Sequence, residues 1–438
     1  MANRKVFLSM LGTGFYGETI YVNNENSFES SPTRYIQQAT LQCIGAENWT
    51  ENDAMIIALT ESAKEKNWIV AGNKRKKMQT TQEEEYTGLK DILTLLNLPI
   101  QTIELPIPDG KHEDEMWQIF TSIYEKLEQG DELYIDLTHS FRYLPMLLLV
   151  LVDYARFLKN VVVKSMTYGN WEARNLATNK APIVNLMPII ALQNWTSAAS
   201  EFVKNGNADA ILQATNEGLR DLLRAGNRDK QIIELNKASK NLNNWVNQIR
   251  TCRGKGIMSS QEFNILQTRL NNSDKNILKP LTPILNRITQ SFNDNGFIEG
   301  NSGIANAYAA AKWCVEMKLW QSAITILEEA IITLVCDKVG LTHDSIPNRE
   351  LVSSALHIKS NDIPQENWNI KDGEEENLKI VLSTDLFENK EFLKEYQKIK
   401  DLRNDFNHSG MRQTCKSAQS VINSIKDLVE KSSYLFQF

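Results

Sequence analysis

Tyr134-Ile135-Asp136-Leu137-Thr138-His139-Ser140-Phe141-Arg142 ends a short apolar strand and runs directly into an apolar helical pattern, Leu144 to Leu158. A strand that feeds a helix through a polar loop is the repeating unit of sheets whose strands run parallel. The same alternation extends on both sides. Apolar runs at Val6 to Leu11, Ala54 to Leu59, Thr102 to Leu105, Glu132 to Leu137, Val161 to Tyr168 and Pro182 to Ile190 are separated by amphipathic stretches. These include Thr33 to Cys43, Tyr86 to Leu96 and Glu115 to Leu127. The pattern predicts an α/β domain over residues 1–190, an open, doubly wound, mostly parallel sheet with helices on both faces. After Ala191 the strand signals fade, and apolar residues recur at helical spacing over Asp209 to Leu223, Lys230 to Ile249 and Gln261 to Leu270. Residues 191–438 are therefore expected to be all-α, with 191–300 a helical linker or insertion. One long helix is expected from Ala305 to Val335, a polar loop-rich insertion from Leu341 to Leu378, and two closing helices, Glu391 to Asn407 and Thr414 to Leu435.

A chain of 438 residues is too long for one ordinary core and implies two domains or three. With 42% hydrophobic and 23% charged residues it has the composition of a globular protein, and its net charge of −6 argues against a surface coated in nucleic acid. RNA would have to bind in a local cleft of opposite sign. The 5 cysteines are scattered without Cys-x-x-Cys spacing, so neither disulfides nor structural metal are expected. The first residues carry no secretory cleavage pattern, and the longest apolar run, Leu144 to Val152, is well short of the ~20 residues a bilayer requires. The expectation is a cytoplasmic protein with no membrane partner, that run forming a buried helix.

Gly12-Thr13-Gly14-Phe15-Tyr16-Gly17 follows the first strand and fits the letters of the dinucleotide fingerprint. Its context does not fit, because Gly17 leads into the extended Glu18 to Val22 rather than a helix. What remains is a loop at the carboxyl end of a central strand, whose amides and Thr13 hydroxyl could meet phosphate or ribose; an ordinary tight turn is the alternative. Thr138, His139, Ser140 and Arg142 gather hydroxyls, an imidazole and a cation at another strand end, a pocket suited to anions. Singly, Ser140 would be a helix cap, Asp136 a turn former and His139 a surface residue.

Near the carboxyl end, Arg403-Asn404-Asp405-Phe406-Asn407-His408 sets a fixed cation close to a titratable imidazole. That pairing suits metal-independent RNA cleavage: the imidazole takes or orients the 2′-hydroxyl proton while the guanidinium neutralises charge on the phosphorus oxygens. Phe392, Tyr396, Ile399, Leu402 and Phe406 form the apolar stripe of the helix, which Ser409-Gly410 should terminate. Arg403, Asn404, Asn407 and His408 spread over an arc of ~140° at ~100° per residue, too wide for direct Arg403–His408 contact. A solvated helix end with a dipole-complementing histidine is the competing reading. His112 reads as a loop residue, Lys74 to Lys77 followed by Glu83 to Glu85 as a solvated loop and helix start, and Trp313, Trp320, Ile324, Leu327, Ile331 and Leu334 as packing residues.

Taken together, Leu11-Gly12-Thr13-Gly14 with Tyr16, Thr60-Glu61-x-Ala63, Asp136-x-Thr138-His139 with Arg142, Tyr168-Gly169, and Arg403-Asn404 with His408 resemble the CRISPR-associated CARF/HEPN ribonucleases of type III systems. The likeness is to the branch named for its Asp-x-Thr-His-Gly signature; Ser140 stands where that signature often has Gly. The resemblance implies a Rossmann-like sensor domain over 1–190 that binds a cyclic oligoadenylate, cyclic tetra-adenylate favoured, across the two-fold axis of a homodimer or higher oligomer. It implies a helical HEPN domain over 191–438 that then cuts single-stranded RNA without a metal or other cofactor. Gly12, Thr13, Gly14, Thr138, His139, Ser140, Arg142 and Tyr168 would line the ligand pocket, and Arg403, Asn404 and His408 from two copies would form the catalytic cleft. A regulator that responds to the same ligand, and a nicotinamide-dependent oxidoreductase, are the alternative functions.

Overall fold

The computed structural model of the protein describes residues 3–76, 83–139, 143–224, 230–272, 281–297, 303–368, 373–411 and 415–436. The chain divides into two compact units, Met1–Ile190 and Ala191–Phe438.

The first unit holds ten described strands: β1 (Lys5–Leu11), β2 (Ile20–Asn23), β3 (Phe28–Glu29), β4 (Ala54–Leu59), β5 (Lys74–Lys76), β6 (Glu83–Glu85), β7 (Gln101–Pro106), β8 (Glu132–Asp136), β9 (Val162–Gly169) and β10 (Lys180–Asn185). Eight form one sheet in the order β3-β2-β10-β9-β8-β1-β4-β7. Strands β7, β4, β1, β8 and β9 pair in parallel, while β10 is antiparallel to β9 and β3 to β2. Side-chain alternation along β1 explains why both faces are covered. Val6, Leu8 and Met10 pack with Ile119, Ile123, Leu148 and Leu151 from the helices Glu113–Lys126 and Leu144–Lys159. Phe7 and Leu11 pack on the other face with Tyr35, Leu41, Trp68 and Leu89. The mostly parallel, doubly wound sheet read from the alternation is thus the fold of this unit.

Three local expectations are corrected here. Only Lys180–Asn185 of the last apolar run is strand; the Asn185 side chain accepts the Met187 amide at 2.9 Å and the helix Met187–Asn205 begins there. The segment expected as a solvated loop and helix start is the β5–β6 hairpin, in which Lys74, Arg75 and Lys76 lie opposite Glu85, Glu84 and Glu83. Opposite charges across the two strands favour that pairing. The helix Leu144–Lys159 is buried on one side only: Met146, Val150 and Phe157 are 70%, 60% and 84% exposed.

The second unit is helical throughout its described residues. At its centre lie Ile304–Glu316 and Trp320–Lys338, with Trp313, Ile324, Leu327, Ile331 and Leu334 buried and Trp320 packed at the margin. They are two helices, not the single one the periodicity suggests. Lys318 sits between them at φ 60°, and the Leu319 amide turns back to the Cys314 carbonyl at 2.8 Å. The supposed loop-rich insertion contains the helix Ile346–Ser360, whose Leu351, Val352, Ala355 and Leu356 are buried. Among the described residues no helix is long and apolar enough to cross a membrane.

The break at Lys318 is testable by sign. In a continuous helix Gly costs about 1 kcal/mol relative to Ala, whereas at a left-handed φ it is the favoured residue by roughly that amount. Lys318→Gly is expected to be about 1 kcal/mol more stable than Lys318→Ala in urea denaturation.

Candidate functional site

Strands β1 and β8 lie side by side, with β4 on the far side of β1 and β9 on the far side of β8. After β1 the chain first visits β2 and β3 at the other edge of the sheet and then returns through a helix to β4, while after β8 it passes through a helix to β9. A crevice opens at the carboxyl ends of such a strand pair, where open α/β sheets take their ligands. The loops Gly12–Gly14 and Leu137–His139 and the last residues of β9, Tyr168 and Gly169, all lie at this edge.

Asp136, 1% exposed, ties the three strand ends together. Its Oδ1 accepts the Thr138 amide at 3.1 Å and the Thr138 hydroxyl at 2.5 Å, and its Oδ2 accepts the Ser9 hydroxyl at 2.7 Å. Thr138 Oγ1 in turn accepts the Gly169 amide at 2.7 Å, and buried Gln37 donates to Ser9 at 3.1 Å and to the Met10 carbonyl at 2.9 Å. Burial raises the Asp136 pKa, and the donors from Thr138 and Ser9 oppose that rise. Asp136 forms the local turn through the Thr138 amide and, being buried, also braces the strand ends.

The glycine loop is held by its carbonyls. Asn67, fully buried, donates from Nδ2 to the Gly12 carbonyl at 2.7 Å and to the Gly14 carbonyl at 2.9 Å. Arg75 donates to the Gly14 and Thr13 carbonyls, each at 2.8 Å. Because each peptide is planar and trans, the amides of Thr13, Gly14 and Phe15 point away from this clamp. They find no acceptor among the described residues, so they form a row of free donors of the kind that receives anions. Neither Gly12 nor Gly14 has a positive φ. What they require is room: a Cβ would lie 2.7 Å from the Tyr16 hydroxyl at Gly12 and 3.1 Å from the Tyr16 ring at Gly14. Gly17 leads into strand β2, so the helix needed for a dinucleotide fingerprint is missing from this position.

His139 stacks on Tyr16 with ring centroids 4.0 Å apart. Its Nε2 is sealed from solvent without a partner among the described residues, and burial pushes the imidazole down to about 4. At neutral pH the ring is uncharged and holds an unused hydrogen-bonding nitrogen beside the glycine loop. Tyr168 is partly exposed at the end of β9, with its hydroxyl 3.4 Å from Glu172. Ser140 and Arg142 lie outside the described residues. Asn67 and Arg75 were not singled out from the sequence; one sits in an irregular turn and the other in a charge run, and neither context carries a motif.

In the second unit Arg403 and Asn404 occupy the last turn of the helix Lys390–Asn407, and His408 caps it. Ser409 and Gly410, at φ 54° and 66°, end the helix as expected. Phe392, Tyr396, Ile399 and Leu402 are buried as one stripe. Arg403 Nε donates to Glu328 at 2.6 Å, and its Nη1 lies 3.3 Å from Asn404 Oδ1. Glu328 is 2% exposed on Trp320–Lys338; burial raises its carboxyl while Arg403 opposes the rise. The His408 side chain is exposed and makes no contact with Arg403 among the described residues. Within one chain the three residues share a helix end without forming a closed constellation. No group of His, Cys, Asp and Glu that could hold a metal occurs among the described residues.

The fold defines a protein that combines a mostly parallel α/β domain with a helical region. Residues 6–182 match the family model described as CRISPR system endoribonuclease Csx1, CARF domain, and residues 191–300 match that described as CRISPR-associated protein MJ1674, second domain. The CRISPR-associated protein MJ1674 of Methanocaldococcus jannaschii is 27% identical over 259 residues, 57% of this chain and 36% of that protein. The matched part is thus about a third of the length of the curated relative. Over these ranges the chain is similar to CRISPR-associated ancillary proteins that carry a CARF domain. Both family ranges end before Arg403.

The state of His139 gives a pH prediction. With its folded pKa near 4 against 6.5 unfolded, the unfolded chain alone binds a proton between those values. Stability therefore falls as pH drops from 6.5 toward 4, by up to about 3 kcal/mol from this residue. Asp136, with its raised pKa, acts in the opposite sense. His139→Gln should remove the imidazole's share, seen as a shallower loss of stability over that interval in urea titrations of both proteins.

Proposed function

We propose that this protein is a cyclic-oligoadenylate-activated endoribonuclease. The observation that carries the sensing half is the row of free amides at Thr13, Gly14 and Phe15 beside the neutral His139, at the switch point of a CARF-type sheet. Amide dipoles suit the phosphodiesters of a cyclic nucleotide, and a buried neutral imidazole suits a base or ribose hydroxyl. Gly12, Thr13, Gly14, Thr138, His139, Ser140, Arg142 and Tyr168 are the proposed pocket, with cyclic tetra-adenylate the favoured ring.

The ring spans two copies of the chain. The exposed apolar stripe of Met146, Val150 and Phe157 comes shortly after Thr138 and His139 in the sequence, and a second copy covering it would bring two pockets together. The ligand activates by preferring the dimer arrangement in which the two Lys390–Asn407 helices are aligned. In the resulting cleft His408 takes the proton of a ribose 2′-hydroxyl as O2′ bonds to the adjacent phosphorus. Arg403 neutralises the phosphorane oxygens and Asn404 positions the backbone. The P–O5′ bond then breaks, O5′ gains a proton from the paired imidazole, and the products are a 2′,3′-cyclic phosphate and a 5′-hydroxyl. No metal enters these steps. Five unpaired cysteines are in keeping with work in the reducing cytoplasm.

A second reading, a ligand-responsive regulator without nuclease activity, is favoured by one observation: Arg403 is bonded to a buried glutamate, as a structural ion pair would be. A single assay separates the two. Purified protein with single-stranded RNA and chelator is expected to cut only when a cyclic tri-, tetra- or hexa-adenylate is added, cyclic tetra-adenylate acting at the lowest concentration. His408→Ala should lower that rate by at least about 100-fold and Arg403→Ala by a comparable factor. The exposed His408 should leave the melting temperature unchanged. No cleavage with any ring, or unchanged cleavage by both variants, would rule out the nuclease reading.

A further inference from the structure

The guanidinium of Arg75 stands behind the glycine loop, on the side away from the free amides. It donates to the Thr13 and Gly14 carbonyls at 2.8 Å each, to the Lys66 carbonyl at 3.2 Å, and to Asn67 Oδ1. Asn67 uses its other end on the Gly12 and Gly14 carbonyls and accepts the Tyr86 hydroxyl at 2.9 Å. Arg75 also lies over the Phe15 ring at 5.6 Å and the Tyr86 ring at 5.2 Å. Among the described residues it has no carboxylate partner, although it stands opposite Glu84 in the hairpin; Glu84 pairs instead with Arg34 at 3.2 Å. An arginine in an all-basic strand paired with an all-acidic one that gives up its cross-strand acid for two loop carbonyls is holding a backbone conformation.

We propose that Arg75 is the positioning residue of the ligand crevice: by gripping the Thr13 and Gly14 carbonyls it keeps the Thr13, Gly14 and Phe15 amides turned toward the ligand's phosphodiesters. The inference rests on the sensing role proposed above and adds a residue outside every motif of the chain. Two physical effects follow from the geometry. The loop pays no ordering entropy on binding, because its carbonyls are fixed beforehand. The guanidinium also adds its charge to the amide dipoles from behind without touching the ligand. A lysine could supply the second effect but not the first, since a single ammonium lacks the planar fork that reaches two carbonyls and a side-chain amide oxygen.

Binding of labelled cyclic tri-, tetra- and hexa-adenylate is measured for the 438-residue parent chain, Arg75→Ala, Arg75→Lys, and Lys76→Ala as a control for loss of charge on the same strand. Amide hydrogen exchange over residues 12–17 is followed without ligand. Arg75→Ala and Arg75→Lys should each weaken binding at least tenfold, and Lys76→Ala should bind as the parent does. Both Arg75 variants should also speed exchange at the Tyr16 amide, which donates to the Tyr86 hydroxyl at 3.1 Å. Parent-like affinity in Arg75→Ala, or full rescue by Arg75→Lys, overturns the proposal. If the parent binds no ring, the sensing reading falls, and unchanged exchange at Tyr16 would separately overturn the role of Arg75 in holding the loop.

Discussion

One carboxylate gathers the carboxyl ends of three neighbouring strands. Asp136 takes two bonds from Thr138 and one from Ser9, and Thr138 passes the connection to Gly169 on β9. A buried carboxylate is costly unless its oxygens are met by donors, and here each of them is. The strand ends cannot slip relative to one another without leaving a buried acceptor unpaired. Everything that lines the crevice, including the glycine loop after β1 and the Thr138–His139 turn after β8, inherits its position from that network.

The proposed anion site rests on features that the overall charge of −6 conceals. The free amides are turned away from the clamp and the uncharged imidazole is buried beside them, while Arg75 lies behind the loop and Arg34 bonds the Tyr16 carbonyl at 3.0 Å. A site built from dipoles and second-rank charges leaves the surface as a whole acidic, so a polyanion finds few other places to settle. The second unit handles its cation differently: Arg403 is anchored by buried Glu328, which fixes the guanidinium and also draws on its charge. Whether that arginine serves chemistry or packing depends on what approaches its remaining nitrogens, and a second copy of the helix is the proposed visitor.

The fold class was readable because period-two and period-3.6 patterns are local properties of a chain. Val6, Leu8 and Met10 alternate with Phe7 and Leu11, and the sheet uses both sets. Misreadings arose where a local signal was continuous but the backbone was not. Apolar spacing carries through from Ala305 to Val335, yet Lys318 turns left-handed in the middle. The run from Pro182 to Ile190 is apolar except for Asn185, and that side chain caps a helix within it. Lys74 and Lys76 are as exposed as the charge run suggests, but the segment looked like loop rather than strand because the glutamates that pair with it across the hairpin are separated in sequence.

At the crevice, Gly12, Gly14, Thr138 and His139 stood out because small and polar residues at strand ends are unusual enough to notice. Asn67, Arg75, Gln37 and Glu328 did not. Each acts on a partner brought close only by folding: Asn67 on Gly12, 55 residues away in sequence, Arg75 on Thr13, 62 away, and Glu328 on Arg403, 75 away. The amino-acid order alone determined which segments become strands and helices and which loops carry reactive groups, since those follow from neighbours along the chain. Which carbonyls are gripped, which amides are left free and which imidazole is kept neutral were decided by the tertiary structure, because burial and hydrogen-bond direction exist only once distant segments have met.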